Sequence, residues 1–476
     1  MNALLTVLAL ALATAVSIFV EGGMGALVAC AFFALCAVAA GGFVVKDERK
    51  FLLQIFVAGL LVRVLIGTII YAMHLQEFFG GDAFIYDRMG WDVLSQWVGR
   101  MRNDDLIMEW QSGATGWGMG YLVAVIYYLF GRNMLAVQFF NAVVGAATAV
   151  VCFGCARQIF RNMRVARVTA FAVAFYPSLV LWSAQGLKDG PIVFALAVAM
   201  LATMKLGEKF SAAYLGLLVA SMIALLSLRF YVFYMLSAAV AGSFLIGMRK
   251  VTGQSLIRQA VVVAAVGLAM TYFGVLRTAT QQYEQFGSLE KVQVSREALA
   301  TEAKSGFGRD VDVSTTSGAL TVIPIGLVYL LFAPFPWQLG SLRQSITIPE
   351  MAVWWLSFPL LCVGLWFTLR HRLRQALPIL IFTSMLTLAY SVFQGNIGTA
   401  YRQRSQLLVF YFIFVAVGLV LAKERQEESS QRAEDAKRAA IAARAEHAAL
   451  RLARLRAARE RQRSGPPRPL AGRVDL

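Results

Sequence analysis

Apolar runs of bilayer-crossing length recur from Ala3 to Ala422, broken by short polar turns. A span takes about 20 apolar residues. Only helices supply many spans in one chain, because every backbone polar group in hydrocarbon must be satisfied internally. The pattern therefore predicts an all-α fold, a polytopic transmembrane helical bundle. The first span, Ala3 to Val20, lacks the basic start of a signal peptide and is followed at once by a second, so it reads as a retained helix. Further spans are expected at Phe51–Tyr71, Met134–Ala156, Val168–Gln185, Ile192–Met204, Ala212–Leu228, Phe230–Met248 and Val261–Leu276. The last three are Glu350–Leu369, Leu377–Phe393 and Leu407–Ala422, which makes about twelve crossings in all.

Basic residues orient them. Lys46 to Lys50, the run Arg157, Arg161, Arg164 and Arg167, then Lys205 and Lys209, Arg249 and Lys250, and Arg370 to Arg374 mark cytoplasmic turns, with both termini on that side. Two long segments are left outside, 74–133 and 277–349. Within the first, Tyr121 to Gly131 is apolar but about half a span long, which suits an interfacial or re-entrant helix. The apolar, Pro-punctuated stretch Pro324 to Trp337 reads as interfacial too. A transmembrane domain thus covers 1–422. The tail, 423–476, is rich in Ala, Arg and Glu and reads as a solvated basic helix with a disordered end, open to anionic lipid or a cytoplasmic partner.

Composition adds little to this and excludes some classes. The chain of 476 residues is 59% hydrophobic and 15% charged, with a net charge of +17. Much of that charge sits in short loops and the tail, so it is an orientation signal and implies no nucleic acid. The five cysteines lie in apolar runs. Cys152 and Cys155 have CxxC spacing without a second ligand pair, and read as small buried apolar residues.

Candidate chemistry gathers on the outer side. Asp82 follows Gly80 and Gly81, lies near a span's end and is flanked by Phe84 and Tyr86. A carboxylate in such a partly desolvated pocket can act as a general base. Asp87 is five residues on, toward a different helix face, beside Arg88. Asp104 and Asp105 read as a cap or solvated turn. Arg229, Arg402 and Arg404 face outward against the positive-inside trend. A bound anion would explain them, since the guanidinium fork matches phosphate oxygens, and so would interfacial snorkelling or an ion pair with a nearby acid. A divalent ion at Asp82 and Asp87 has no support from spacing, and the three histidines are too dispersed for a metal site.

The order of these features resembles the polytopic GT-C glycosyltransferases, in particular the bacterial group similar to protein mannosyltransferases and lipopolysaccharide-core sugar transferases. The resemblance rests on Gly81-Asp82-Ala-Phe-Ile-Tyr86, Trp117 to Tyr121, Tyr128 to Gly131, Asn141 to Gly145, Arg157 to Phe160, Tyr176-Pro-Ser178, Trp182-Ser183, Lys188-Asp189 and Leu228-Arg229, with Tyr401-Arg402-Gln-Arg404 before the last span. It is strongest over 74–245. It implies a polyprenyl-phosphate sugar donor, a cell-envelope glycan or lipid acceptor, and inversion at the anomeric centre on the outer face of a bacterial inner membrane. It places the first-loop acid on Asp82 and a second-loop acid on Asp189. Lys188, Arg229, Tyr401, Arg402 and Arg404, with Asp87 and Arg88, then serve the substrate. The sequence departs where Ala83 follows Asp82 in place of an acid, and where Lys188-Asp189 replaces a more usual Ser-Glu. Alternatives are a lipid-linked polysaccharide polymerase or ligase relying on 277–349, and a catalytically silent assembly subunit. A transporter needs charges at mid-bilayer, and beyond Arg63 the spans offer few.

Overall fold

The computed structural model describes residues 3–41, 48–100, 116–246, 253–272, 287–301, 306–307, 312–340, 342–463 and 465. Asp104 and Asp105 lie outside them. The described residues form helices and turns, with no strand beyond one isolated bridge between Gly306 and Asn396. The chain divides into two units, 1–418 and 419–476.

The first unit opens with α1 (Ala3–Phe19), α2 (Gly23–Gly41) and α3 (Arg49–Ala72), then α4 (Asp82–Trp97) and α5 (Trp117–Phe130). There follow α6 (Met134–Phe160), α7 (Met163–Phe175), α8 (Pro177–Ser183), α9 (Asp189–Glu208), α10 (Ala212–Leu228), α11 (Phe230–Ile246) and α12 (Gly253–Tyr272). The remainder is α13 (Leu289–Thr301), α14 (Thr316–Phe332), α15 (Leu342–His371), α16 (Leu373–Phe393), α17 (Ile397–Gln403) and the start of α18 (Ser405–Arg463).

The twelve expected spans coincide with twelve helices or helix pairs. Among the described residues seven helices are long and apolar enough to cross a membrane, and the bent pair α7–α8 makes eight. The other four, α1, α10, α11 and α12, are apolar over 17 residues or fewer. The stretch read as interfacial at Pro324 to Trp337 begins inside α14, whose 17 residues equal α10 in length and which packs on α16.

Local chemistry explains several boundaries. Asn133 caps α6 by accepting from the amides of Leu135 (2.9 Å) and Ala136 (3.3 Å), and its own amide donates to the Gly22 carbonyl at 2.8 Å. Asn162 caps α7 in the same way. The span expected at Val168 to Gln185 is broken. Pro177 has no N–H for the preceding turn, and the two halves bend by 54°. Arg63, 1% exposed on α3, repairs the break by donating to the carbonyls of Ala174 (2.7 Å) and Val173 (3.3 Å) and to Ser183 Oγ (2.8 Å). Its charge is thus spent on backbone, which is how polar groups freed at a proline are satisfied in a membrane helix.

α6 and the first turns of α18 are apolar nearly all round, and both are buried, as that pattern demands. α4 is different. It packs on α5, where Gly90 meets Val123 and Ala124, buries Ala83, Tyr86, Gly90, Val93 and Leu94 at helical spacing and leaves Phe84, Ile85 and Arg88 exposed. An amphipathic helix with exposed aromatic and aliphatic side chains fits a membrane interface. The second unit, from Leu419, continues α18, and every described side chain from Arg425 onward is exposed.

Candidate active site

Three helix ends bring the site together. Asp82 opens α4, with Gly81 before it at φ 73°, a left-handed conformation that favours glycine. Nothing would touch a Cβ at Gly80 or Gly81, so backbone shape, and not a close approach, accounts for them. Asp189 opens α9, and Arg402 lies in the last turn of α17. Acids at helix N-termini and a cation at a C-terminus each complement the helix dipole.

Arg402 joins the two acids. Its Nη1 donates to Asp82 Oδ2 at 2.6 Å, and its Nε and Nη2 approach Asp189 Oδ2 at 2.7 and 2.6 Å. Asp189 is 1% exposed, whereas the Asp82 side chain keeps 35% of its surface open. Arg229 Nη2 stands 3.7 Å from Asp189 Oδ1. Lys188 completes the group, with its Nζ 2.7 Å from where a Cβ on Gly116 would stand. The Arg402 guanidinium also lies 5.8 Å from the centre of the Trp182 ring.

Electrostatics follow from burial. Lys188 is pushed down from its ordinary 10.5 to about 7, first by burial and then by Arg229. Burial also works against the charged form of Arg402, but Asp189 and Asp82 hold its pKa above the ordinary value. Tyr86 is raised by burial and by the Asp82 and Asp189 carboxylates it faces.

The loop bearing Lys188 and Asp189 is held from behind. Asn141 on α6 donates to the carbonyls of Gln185 (2.6 Å) and Leu187 (2.7 Å). Together with Arg63 at the α7–α8 break, it positions the start of α9.

Other expected residues lie elsewhere. Asp87 accepts from Tyr127 OH at 2.5 Å and from Arg132 Nη2 at 2.6 Å, tying α4 to the end of α5. Arg88 is exposed. Tyr401 is buried and donates to Glu350 Oε2 at 2.6 Å. Arg404 is 1% exposed and donates to the Ala333 carbonyl and the Met351 sulfur, with burial lowering its pKa. These two are supports for α17, away from the acids. Glu350, Asn141 and Arg132 carry structural roles that single residues in a sequence did not signal. Among the described residues no three His, Cys, Asp or Glu side chains are grouped to hold a metal ion.

The fold and this site define a multi-pass helical membrane protein with a buried, charge-paired pocket at one end of its spans. Residues 116–275, about a third of the chain, match the family described as dolichyl-phosphate-mannose-protein mannosyltransferase, which marks the chain as a GT-C glycosyltransferase-like membrane protein. That match takes in Lys188, Asp189 and Arg229 and ends before Arg402. No curated protein and no solved structure matches the chain.

Proposed function

We propose that the protein transfers a sugar from a polyprenyl-phosphate donor to a glycan or lipid acceptor of the cell envelope, on the outer face of a bacterial inner membrane, with both termini cytoplasmic. The observation that carries this reading is the convergence of Asp82, Asp189 and Arg402 from three distant parts of the sequence, with bonds of 2.6 and 2.7 Å. Lys188 and Arg229 stand beside them. Three basic groups meet two carboxylates, so with the acids ionised and Lys188 protonated the pocket has one positive charge in excess. An anion is the complement, and a lipid phosphodiester supplies one at membrane depth.

In the proposed reaction Asp82, the more open acid, takes the proton of the acceptor hydroxyl through the oxygen not bound to Arg402. The acceptor oxygen forms its bond to the anomeric carbon as the bond to the phosphate oxygen breaks, inverting that centre. Arg229, Lys188 and Arg402 hold the departing lipid phosphate, whose negative charge grows as it leaves. Asp189 keeps Arg402 and Arg229 aligned and does not itself reach the substrate.

The test is turnover of purified full-length protein in nanodiscs, with polyprenyl-phosphate sugars and envelope glycolipid acceptors. Mannose is the first sugar to try, because the matched family is described by it. Removing a general base costs roughly 10²–10⁴-fold, so Asp82→Asn is expected to lose at least 100-fold in kcat with an intact fold. Equal turnover by the two forms would remove Asp82 from the mechanism. Polymer formation that survives Asp82→Asn but needs Arg343, whose guanidinium lies 5.4 Å from the Phe78 ring centre, would favour a polymerase or ligase.

A further inference from the structure

At the other end of the same spans lies a crevice that the transfer reaction does not use. Its volume is about 230 Å³, between the end of α2, the start of α3, the middle of α6 and α9, and the first turns of α10. Leu53, Val151, Phe194, Val198 and Leu217 line it, and of all its lining residues only Arg49 and Tyr214 carry polar side chains. Apolar cavities of about 150 Å³ already stay dry and accept apolar guests. This one is larger, and it opens along helices that face lipid.

Its rim is basic. Arg49 is exposed at the start of α3, next to Lys50. The ion pairs Arg167–Glu48 (2.8 Å) and Arg161–Glu208 (3.9 Å) show that the start of α3, the α6–α7 turn and the end of α9 share one end of the bundle. Among the described residues that end also carries Arg157, Arg164, Lys205 and Lys209, with the acids Glu48 and Glu208. Basic pockets between membrane helices attract anionic headgroups.

We propose that this crevice binds one acyl chain of an anionic phospholipid, with its headgroup phosphate at Arg49. The site is separate from the donor phosphate. Val198 is nine residues past Asp189, about 14 Å along α9, and Arg49 is about 35 Å along α3 from Ala72. One lipid cannot place its phosphate at both ends. The proposal stands whether or not the transfer reading holds, since its test needs no turnover.

Native mass spectrometry of the full chain during stepwise delipidation reads it directly, with phosphatidylglycerol and phosphatidylcholine of identical chains as probes. Wild type is expected to retain one phosphatidylglycerol at least tenfold more strongly than phosphatidylcholine. Arg49→Gln should keep a lipid with that preference reduced to within about threefold. Val151→Trp, which fills the crevice, should lose both. Equal retention of the two lipids by wild type overturns the headgroup assignment, and undiminished binding to a folded Val151→Trp overturns the site. If Val151→Trp does not fold, a phosphatidylglycerol with a photoreactive acyl chain decides on wild type. Label concentrated on 49–56 and 194–202 supports the site, and label spread evenly over the lipid-facing helices overturns it.

Discussion

Lys188 makes the charge balance of the pocket measurable. Its pKa lies at about 7 against an ordinary 10.5, because the ammonium is buried beside Arg229. Below pH 7 it is charged and the pocket offers its full positive excess; above pH 7 it is neutral and that excess is gone. A donor phosphodiester keeps a single negative charge throughout this range, so its affinity should fall as pH rises. If the bound phosphate restores Lys188 to a pKa of 9 or more, proton linkage gives a loss of about ninefold in affinity between pH 6 and pH 8.

Folding stability runs the other way. Lys188 has a depressed folded pKa, so the unfolded chain binds more protons between pH 7 and 10.5, and ligand-free stability should rise across that window. Below 7 both states are protonated and the contribution is constant at its least favourable. Opposite slopes from one residue are a distinctive signature. The assay pairs equilibrium binding of a prenyl-phosphodiester sugar analogue in nanodiscs with thermal unfolding of the empty protein. Lys188→Arg, charged throughout, should flatten both profiles, and Lys188→Met should flatten both with weaker binding. Wild-type slopes that match those of Lys188→Met would refute the role assigned to this ammonium.

Two further substitutions separate support from chemistry. Arg63→Leu leaves the Val173 and Ala174 carbonyls and Ser183 without their donor at the α7–α8 break. At about 1–3 kcal/mol per buried group left unsatisfied, it should lower the unfolding temperature clearly and reduce turnover by displacing the Lys188–Asp189 loop. Asp87→Asn should cost no more than about 1 kcal/mol, since its partner Arg132 is 45% exposed and Tyr127 can still donate to the amide oxygen. Turnover within about threefold of wild type is expected, in contrast to Asp82→Asn.

Much of the helical plan was legible because it rests on length and apolarity alone. The break at Pro177 was visible as a proline within a span, but its repair by Arg63 was not, because the carbonyls it satisfies lie more than 100 positions away. The site was half legible. Asp82, Arg229 and Arg402 stood out as charges at the ends of apolar runs and Asp189 through the resemblance, and the structure brings the four together. Arg404 stood out by the same criterion and Tyr401 through the resemblance, yet they turn inward to Ala333 and Glu350, since residues 401, 402 and 404 cannot share one face of a helix. Asp87 lies outside the group for a related reason. Its carboxylate is consumed by Arg132 and Tyr127, which a reading of one loop in isolation cannot pair with it.

Arg402 is the residue on which the two acids depend, and the unequal exposure of those acids makes its role testable. Removing it by Arg402→Gln leaves Asp189 nearly without solvent and without its two short bonds, facing the more distant Arg229 and Lys188, a break of the kind that costs about 3–5 kcal/mol. Asp82 loses one bond but keeps access to water. A double-mutant cycle on stability should therefore couple Arg402 to Asp189 by more than 2 kcal/mol, and to Asp82 by about 1 kcal/mol or less. Activity should show the reverse emphasis. Asp189→Asn preserves a hydrogen-bond acceptor for Arg402 and should retain measurable turnover, while Asp82→Asn abolishes the base. Arg402→Lys preserves charge, but a single ammonium cannot reproduce a planar fork that engages both acids through three nitrogens. It should fold nearly as well as wild type and turn over far less. If Arg402→Lys is fully active, Arg402 supplies charge alone, and the bridging geometry between Asp82 and Asp189 has no part in the reaction.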